Sequence, residues 1–434
     1  MDEMNQKEVR SQLRRVGSPI KETLPLTSQF KRVLIGTVTC LLVSLPCASL
    51  VHAGGLWINE YGSPAMGRAG AGSQSSGMDA SAALHNPASM SRLSENQLMV
   101  SGGLISSSIE FDLQRTSPLN GNGDGGEAGS IAPAASIFYV RKLSDDWTLG
   151  LSFAGLTGAV MEYDDGWAGR FHAEEVELVG LALMPSIAYQ LNERVSIGIG
   201  VPVMYSDLLM EVAVPTPAGT PEGLATIDGD DIVVSFNLST LIQFSERSRL
   251  GIVYQHEFDI SYSGGIEIQP IGAAVDADTE MVLASILRVG FTQEVSDDLT
   301  LHLTVGWDDW SAMDEINIST QSGGASLGRN WDDTYHVSGG FDYRLNPTWT
   351  VRGGIAYDTN PVDKKDRTAD MPIDRQVRYA FGVEYQKRDG LSIGAQLVYA
   401  DYGKGRIDSM GYGGKYDSNA ITFVSVQANW RLGQ

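Results

Sequence analysis

From about residue 97 onward, apolar and polar positions alternate along the chain in segment after segment. The clearest case runs from Val195 to Tyr205. Val195, Ile197, Ile199, Val201, Val203 and Tyr205 share one face; Ser196, Gly198, Gly200 and Pro202 share the other. Segments 299–307, 349–357 and 391–399 repeat the pattern. A period of two predicts β-strands with one apolar and one small or polar face. Fourteen such strands can be marked out, from 97–111 to 419–432. Tight turns such as 191–194 and 345–348 alternate with long, acidic, Gly-rich connections at 112–130, 161–175, 208–229, 263–280, 311–330, 358–374 and 403–418.

A soluble sandwich alternates as well, but three features favour a membrane barrel. The strands reach the ~9–11 residues that a tilted spanning strand requires. Aromatic residues gather at strand ends, as an interfacial girdle requires: Tyr139, Tyr189, Tyr205, Trp307, Trp310, Tyr343, Trp349, Tyr357, Tyr385, Tyr399 and Tyr402. Short turns on one side and long loops on the other are the barrel arrangement. No run after Leu93 approaches the ~20 apolar residues of a spanning helix. The expectation is an all-β fold, a 14-stranded antiparallel transmembrane β-barrel over 97–434, closed so that no strand edge faces lipid.

Residues 54–96 break the rhythm. Gly62, Gly67, Gly70, Gly72 and Gly77 make a poor helix, since each costs about 1 kcal/mol relative to Ala. Yet Leu56, Trp57, Ile58, Tyr61, Met66, Met78, Leu84 and Met90 need burial. Small residues with a few large apolar ones suit a compact plug, so 54–96 is expected as a hatch inside the lumen. Ahead of it lie a basic segment, an apolar run at 33–45, and Val51-His52-Ala53 before Gly54. That pattern marks 1–53 as a signal peptide with a long n-region.

The formal net charge is −22, and removing 1–53 leaves 24 basic and 49 acidic residues, a net −25. No basic patch is available to neutralise phosphates, so nucleic acid is not an expected partner. Both cysteines, Cys40 and Cys47, fall in 1–53, which leaves the exported chain without a disulfide or a thiolate. By alternation His302 and His336 face the lumen on adjacent strands; Glu294 and Asp342 are available carboxylates that the alternation does not place. A metal site wants a third ligand, and plain polar lumen residues are the expectation, with no metal and no cofactor. No Gly-x-Ser-x-Gly marks a nucleophile, and no catalytic residue is expected. The acidic loops, with Asp164, Asp165, Asp228, Asp230 and Asp363, are either solvated or hold divalent cations that bridge lipopolysaccharide.

The run from Asn59 to Leu93, with Gly67-Arg-Ala-Gly-Ala-Gly72 and Asn86-Pro87-Ala88, resembles the N-terminal hatch of the FadL family. These are outer-membrane transporters of long-chain fatty acids and other hydrophobic compounds. Gly166-Trp-Ala-Gly-Arg-Phe-His-Ala173 followed by Pro185-Ser-Ile-Ala-Tyr189, and Gly306-Trp-Asp-Asp-Trp-Ser311, are similar to further family signatures. Trp430 stands in for the terminal aromatic that such barrels usually carry.

The resemblance implies a monomeric, passive, ligand-gated channel in a Gram-negative outer membrane, in contact with its lipid and lipopolysaccharide. Ligand enters among the outer loops, reaches an apolar pocket and leaves sideways beside a kinked third strand, where Gly150, Gly155 and Gly158 lie. Asn86, Pro87 and Ala88 are the expected gate. Asn86 is expected to bond backbone groups at both ends of its amide. Arg170, with Trp167 and Phe171 beside it, is a candidate site for a carboxylate head group, or equally a loop-packing arginine. Long-chain fatty acids come first as ligand. Aromatic hydrocarbons or alkanes, and a structural or adhesive barrel with a permanent plug, are the alternatives.

Overall fold

The computed structural model describes residues 56–216, 221–269, 272–321, 323–387 and 390–433. The expected signal peptide, 1–53, lies outside the described residues.

Four unbroken strands open the wall: β1 (Gln97–Thr116), β2 (Ile131–Lys142), β3 (Trp147–Glu162) and β4 (Glu175–Asn192). The next six spans are each interrupted. They are β5 (Val195–Gly200) with β6 (Val203–Val214), β7 (Gly223–Val234) with β8 (Asn237–Ser245), and β9 (Ser248–Gln255) with β10 (Phe258–Gln269). β11 (Ala273–Leu283) with β12 (Ile286–Glu294), β13 (Leu299–Asp308) with β14 (Glu315–Thr320), and β15 (Gly323–Gly328) with β16 (Thr334–Arg344) follow. β17 (Trp349–Asp358), β18 (Gln376–Gln386), β19 (Leu391–Asp401) and, past the short loop strand β20 (Ile407–Asp408), β21 (Tyr412–Arg431) complete it. Every span runs antiparallel to its neighbours, and β1 pairs along its whole length with β21. The wall is thus a closed barrel of fourteen spans, as the alternation predicts.

Its polarity is inverted relative to a soluble protein. Ile197, Ile199, Leu301, Leu303, Val305, Ile355 and Leu397 point outward and are exposed, whereas Ser196, Thr292, Thr304, Asp342, Arg352, Arg378 and Gln396 point inward and are buried. Exposed aromatics border this outward apolar belt. Trp147 packs on Tyr189 and Trp349 on Tyr385 at one end; Tyr335, Tyr357, Tyr379 and Tyr399 stand exposed at the other. Two residues expected in the girdle are elsewhere: Trp310 and Tyr402 are buried. Trp310 packs against Trp331 in a turn that interrupts the ninth span, and Tyr402 belongs to an inner cluster with Ile58 and Met66.

The connections 208–229, 263–280 and 311–330 are not loops. They hold the hairpins β6–β7, β10–β11 and β14–β15, which carry the sheet beyond the apolar belt. There the polarity reverses. Outward positions become Asp207, Asp228, Asp230, Asp276 and Asp278, all exposed, with Asp207 directly opposite Asp230. Inward positions become Leu208, Met210, Ile227 and Met281. A sheet rising out of lipid meets water outside and must bury its apolar face within, so the alternation continues with its sign changed. The strand interruptions mark the change of regime. They lie side by side: Ser235 N–H donates to Pro202 O at 3.1 Å, His256 N–H to Phe236 O at 3.0 Å, and Asp309 N–H to Ser285 O at 3.0 Å.

Candidate functional site

Residues 56–93 occupy the lumen as four short turns of helix, Pro64–Arg68, Ser73–Ser76, Ala82–His85 and Pro87–Arg92. Left-handed residues join them: Gly62, Ala69, Gly70, Gly72 and Gly77 all have positive φ. The hatch meets the wall on every side. Ser136 Oγ donates to Tyr61 O at 2.6 Å, Ser186 Oγ to Ala83 O at 3.3 Å and Arg249 Nε to Ser75 O at 2.9 Å. Gly72 N–H donates to Thr304 Oγ1 at 2.8 Å. Arg68 forms a buried ion pair with Asp342 at 3.2 Å, and Asp342 also meets Arg352 at 3.3 Å. Glu60 pairs with Arg378 at 3.4 Å.

Wall glycines let hatch backbone come this close. A Cβ added at Gly251 would lie 1.8 Å from Gln74 O, one at Gly354 2.3 Å from Arg68 O, and one at Gly198 2.4 Å from Ala88 N. Gly150, expected to loosen the third strand, serves the same end: its Cβ would meet Met90 Sδ at 2.5 Å.

Asn86 is extended, with φ −162° and ψ 97°, and opens the turn that begins at Pro87. Its Nδ2 donates to Gln74 O at 2.5 Å within the hatch and to Thr240 O at 3.2 Å in β8. Its Oδ1 is buried without a protein partner, so only one end of the amide bridges hatch and wall, against the expectation of two. Ala88 is fully buried, and its N–H donates to Ser239 Oγ at 3.1 Å.

The wall opens at a seam between β2 and β3. β2 and β3 pair only between 137–142 and 148–153. Above that, β3 continues with β4 through an irregularity between Gly155 and Thr157. Its free edge is taken by the hatch. Trp57 bridges Thr157, Ile58 N–H donates to Leu156 O at 2.9 Å, and Thr157 Oγ1 donates to Leu56 O at 2.6 Å.

At the loop end, the reversed interior of the hairpins encloses a narrow cavity of about 30 Å³, lined by Leu178, Leu208, Met210, Met281, Ile316 and Met371 among others. One polar pair borders it. Arg329 grips Asp370 through two bonds, 2.6 and 3.1 Å, and adds Thr368 Oγ1 at 2.7 Å; both charged residues are buried. Burial pushes the Asp370 carboxyl up, but the Arg329 guanidinium outweighs it and holds it below its ordinary value. None of these residues was singled out from the sequence. The available signal was the sign change of the alternation inside segments taken for loops.

Arg170, Trp167 and Phe171 lie together in the loop between β3 and β4. The Arg170 guanidinium pairs with Glu222 at 2.6 Å, donates to Trp167 O at 3.0 Å and Leu119 O at 3.1 Å, and sits 4.4 Å over the Phe171 ring. Trp167 is fully buried and stacks on Tyr163 at 4.0 Å. The two lumenal histidines are held apart by separate partners. His302 meets Asp342 at 3.4 Å and Thr292 at 3.1 Å; His336 meets Asp358 at 2.8 Å and Ser338 at 3.1 Å. Ser338, His336 and Asp358 are in line like a hydrolytic triad. Ser338 is buried in a strand paired on both sides, so its backbone N–H belongs to the ladder.

A closed, outwardly apolar barrel with a plugged polar lumen and an apolar cavity at one end defines a transport channel of the bacterial outer membrane. The family described as outer membrane protein transport protein (OMPP1/FadL/TodX) matches residues 44–431, and the chain belongs to it. It is 24% identical over 388 residues to the long-chain fatty acid transport protein of Escherichia coli O6:H1, covering 80% of this chain and 86% of that one. It is 26% identical over 407 residues to outer membrane protein P1 of Haemophilus influenzae, covering 82% and 88%. A Pseudomonas aeruginosa FadL homologue superposes with a TM-score of 0.81 at 20% identity, covering 87% of this chain and 99% of that one. The P. putida toluene transporter TodX superposes with a TM-score of 0.67 at 16% identity, covering 86% and 99%. The chain is therefore an outer-membrane transporter of hydrophobic compounds, of the FadL/TodX type, in a Gram-negative bacterium.

Proposed function

We propose that the chain takes up long-chain fatty acids, first held in the cavity enclosed by the outer hairpins and released sideways through the seam between β2 and β3. The supporting observation is the reversal of polarity at the belt of strand breaks. It creates an apolar interior above the hatch, where Leu208, Met210 and Met281 converge, while the wall below turns Ser196, Thr304, Asp342 and Arg352 toward the hatch. A hydrocarbon tail gains about 25 cal/mol per Å² of apolar surface removed from water in the first region and little in the second. The cavity widens as ligand parts the hairpins, and the hatch leaves the β3 edge as ligand passes. Relatives named for long-chain fatty acid transport support the choice of ligand.

Asn86-Pro87-Ala88 is the hinge in this reading. Pro87 fixes its own φ and holds Asn86 extended; Asn86 Nδ2 ties hatch to wall. Replacing Asn86 by Ala is expected to lower uptake of labelled oleate severalfold in cells lacking their own transporter, with surface expression unchanged. Equal uptake by wild type and variant would remove the triplet from the mechanism. Uptake of toluene but not of oleate by the wild type would reassign the ligand.

A further inference from the structure

Above the apolar belt the sheet runs on through the outer hairpins and ends at β15. β6 pairs with β4 and β7, β10 with β7 and β11, and β14 with β11 and β15. Among the described residues β15 pairs with β14 alone. Its six residues, Gly323 to Gly328, are all exposed. The second edge of β15 thus presents a row of backbone donors and acceptors to water, which is a template for another strand. Such edges are ordinarily protected by a lysine, a proline or a bulge. Gly-Gly-Ala-Ser-Leu-Gly has no charge and no proline, and its register with β14 is unbroken. Leu327 turns inward and lines the outer cavity with Ile316 and Ile318, which holds the strand in place from within.

A second copy of the chain fits this edge poorly. Two copies upright in one membrane are related by rotation about its normal, which keeps a descending strand descending. Their β15 strands cannot meet antiparallel, the more stable of the two ladders. The charge around the edge selects a different occupant. Asp276, Asp278, Glu280 and Glu315 stand exposed on β11 and β14, and β6, β7, β10, β11, β14 and β15 contain no lysine or arginine. Glu315 reaches over β15, where its Oε2 accepts from Ser326 Oγ at 2.5 Å. Gly324 and Gly328 lie opposite Ser319 and Glu315 on that outward face and have no side chain to block an arm crossing it. The 359–375 loop meets the chain just past β15, at Arg329 and Asn330. Its lysines are committed, Lys364 to Asp408 at 3.2 Å and Lys365 to Asp366 at 3.3 Å.

We propose that the free edge of β15 is a docking site for an extended, cationic segment of another polypeptide, which joins the hairpin sheet as its next strand. Main-chain hydrogen bonds to β15 give the affinity. Lysine or arginine side chains that cross the bare outward face to Glu315, in the field of Asp278 and Glu280, choose the sequence. The site lies on the outer surface, apart from the path of the hydrophobic ligand.

The test uses the purified chain in phosphatidylcholine nanodiscs and a short fluorescein-labelled peptide of alternating lysine and valine. Its anisotropy is expected to rise to saturation with the chain and to stay flat with empty discs. Two altered peptides separate charge from strand pairing. One carries glutamate in place of lysine; the other keeps its lysines but is methylated on every backbone nitrogen and has no main-chain donors. Each is expected to bind about tenfold more weakly or worse. Ser326→Lys, at an exposed position on the edge, is expected to weaken the lysine peptide about tenfold and to leave heat-modifiable migration unchanged. Equal binding of the methylated peptide would assign the attraction to the acidic surface alone. Equal binding of the glutamate peptide would remove the charge argument, and unchanged binding by the variant would put the peptide elsewhere. Each of these results overturns the proposal, as does a failure of the lysine peptide to bind. A chain that is dimeric by light scattering and takes no peptide would give the edge to a second copy instead.

Discussion

Gly251, Gly198 and Gly354 stand where a strand would normally be weakened by lacking a side chain, yet each faces hatch backbone at a distance no Cβ could tolerate. A valine at Gly251 would collide with Gln74 O. Overpacking typically costs about 1–3 kcal/mol, and the wall, held by ladders on both sides, is stiffer than the hatch. The hatch is expected to be displaced. Gly251→Val should therefore give measurable ion conductance in planar bilayers and admit bulky polar antibiotics that the wild type excludes. A closed, non-conducting variant would show that the glycine seat does not position the plug. The sequence put Gly198 on the small face of its strand, and the structure keeps it there; what lies against it was out of reach, because alternation reports a face and not what crosses it from more than a hundred residues away. The same limit applies to Asn86. Its residue type pointed to backbone bonding, but which end of the amide would bond depends on where Thr240 O and Gln74 O happen to sit.

The three outer hairpins behave as soluble β-structure grafted onto a membrane barrel, and the Arg329–Asp370 pair fastens the 359–375 loop over them. Breaking a buried pair by removing one partner costs about 3–5 kcal/mol, since the other charge stays behind. Asp370→Asn is expected to loosen that loop, seen as faster limited proteolysis within 359–375, and to weaken fatty-acid binding at neutral pH. The pH dependence follows from the sign of the shift. The folded carboxyl titrates below its ordinary value of 3.8, so its contribution is complete above that value and is lost as pH falls through the lowered folded one. Binding should thus stay flat from about pH 8 to 5 as far as this pair is concerned, and decline only in strong acid. A decline near pH 6 would assign the control to another group. These hairpins were the least legible elements. Their outward positions are acidic because water surrounds them, so they read as loops; only the inward Leu208, Met210, Ile227 and Met281 kept the period.

For the whole molecule, β1 pairs with β21 and closes the wall, with the hatch covering the β3 edge at the seam, and such a barrel resists detergent until heated. Unboiled protein should migrate faster than boiled protein in a detergent gel, and equal migration would count against a closed wall. Intact-mass analysis of membrane-purified protein is expected to place the first residue at Gly54, two residues before the backbone that caps β3; a chain still carrying Cys40 and Cys47 would refute export by cleavage there. The barrel was readable because lipid imposes one rule on every strand. The seam beside β3 was legible only through the family resemblance, which pointed to the third strand with Gly150, Gly155 and Gly158; alternation alone does not say which partner is missing. The hatch's partners carry one more consequence, for the order of events in the cell. It bonds to Thr240, Thr304 and Asp342 across separations of 154, 232 and 274 residues. Those contacts do not exist until the wall has nearly closed, and long separations are slow to bring together. The segment that precedes every span in the chain is thus the last to find its structure, and until then its Trp57, Met66 and Met90 stay unburied.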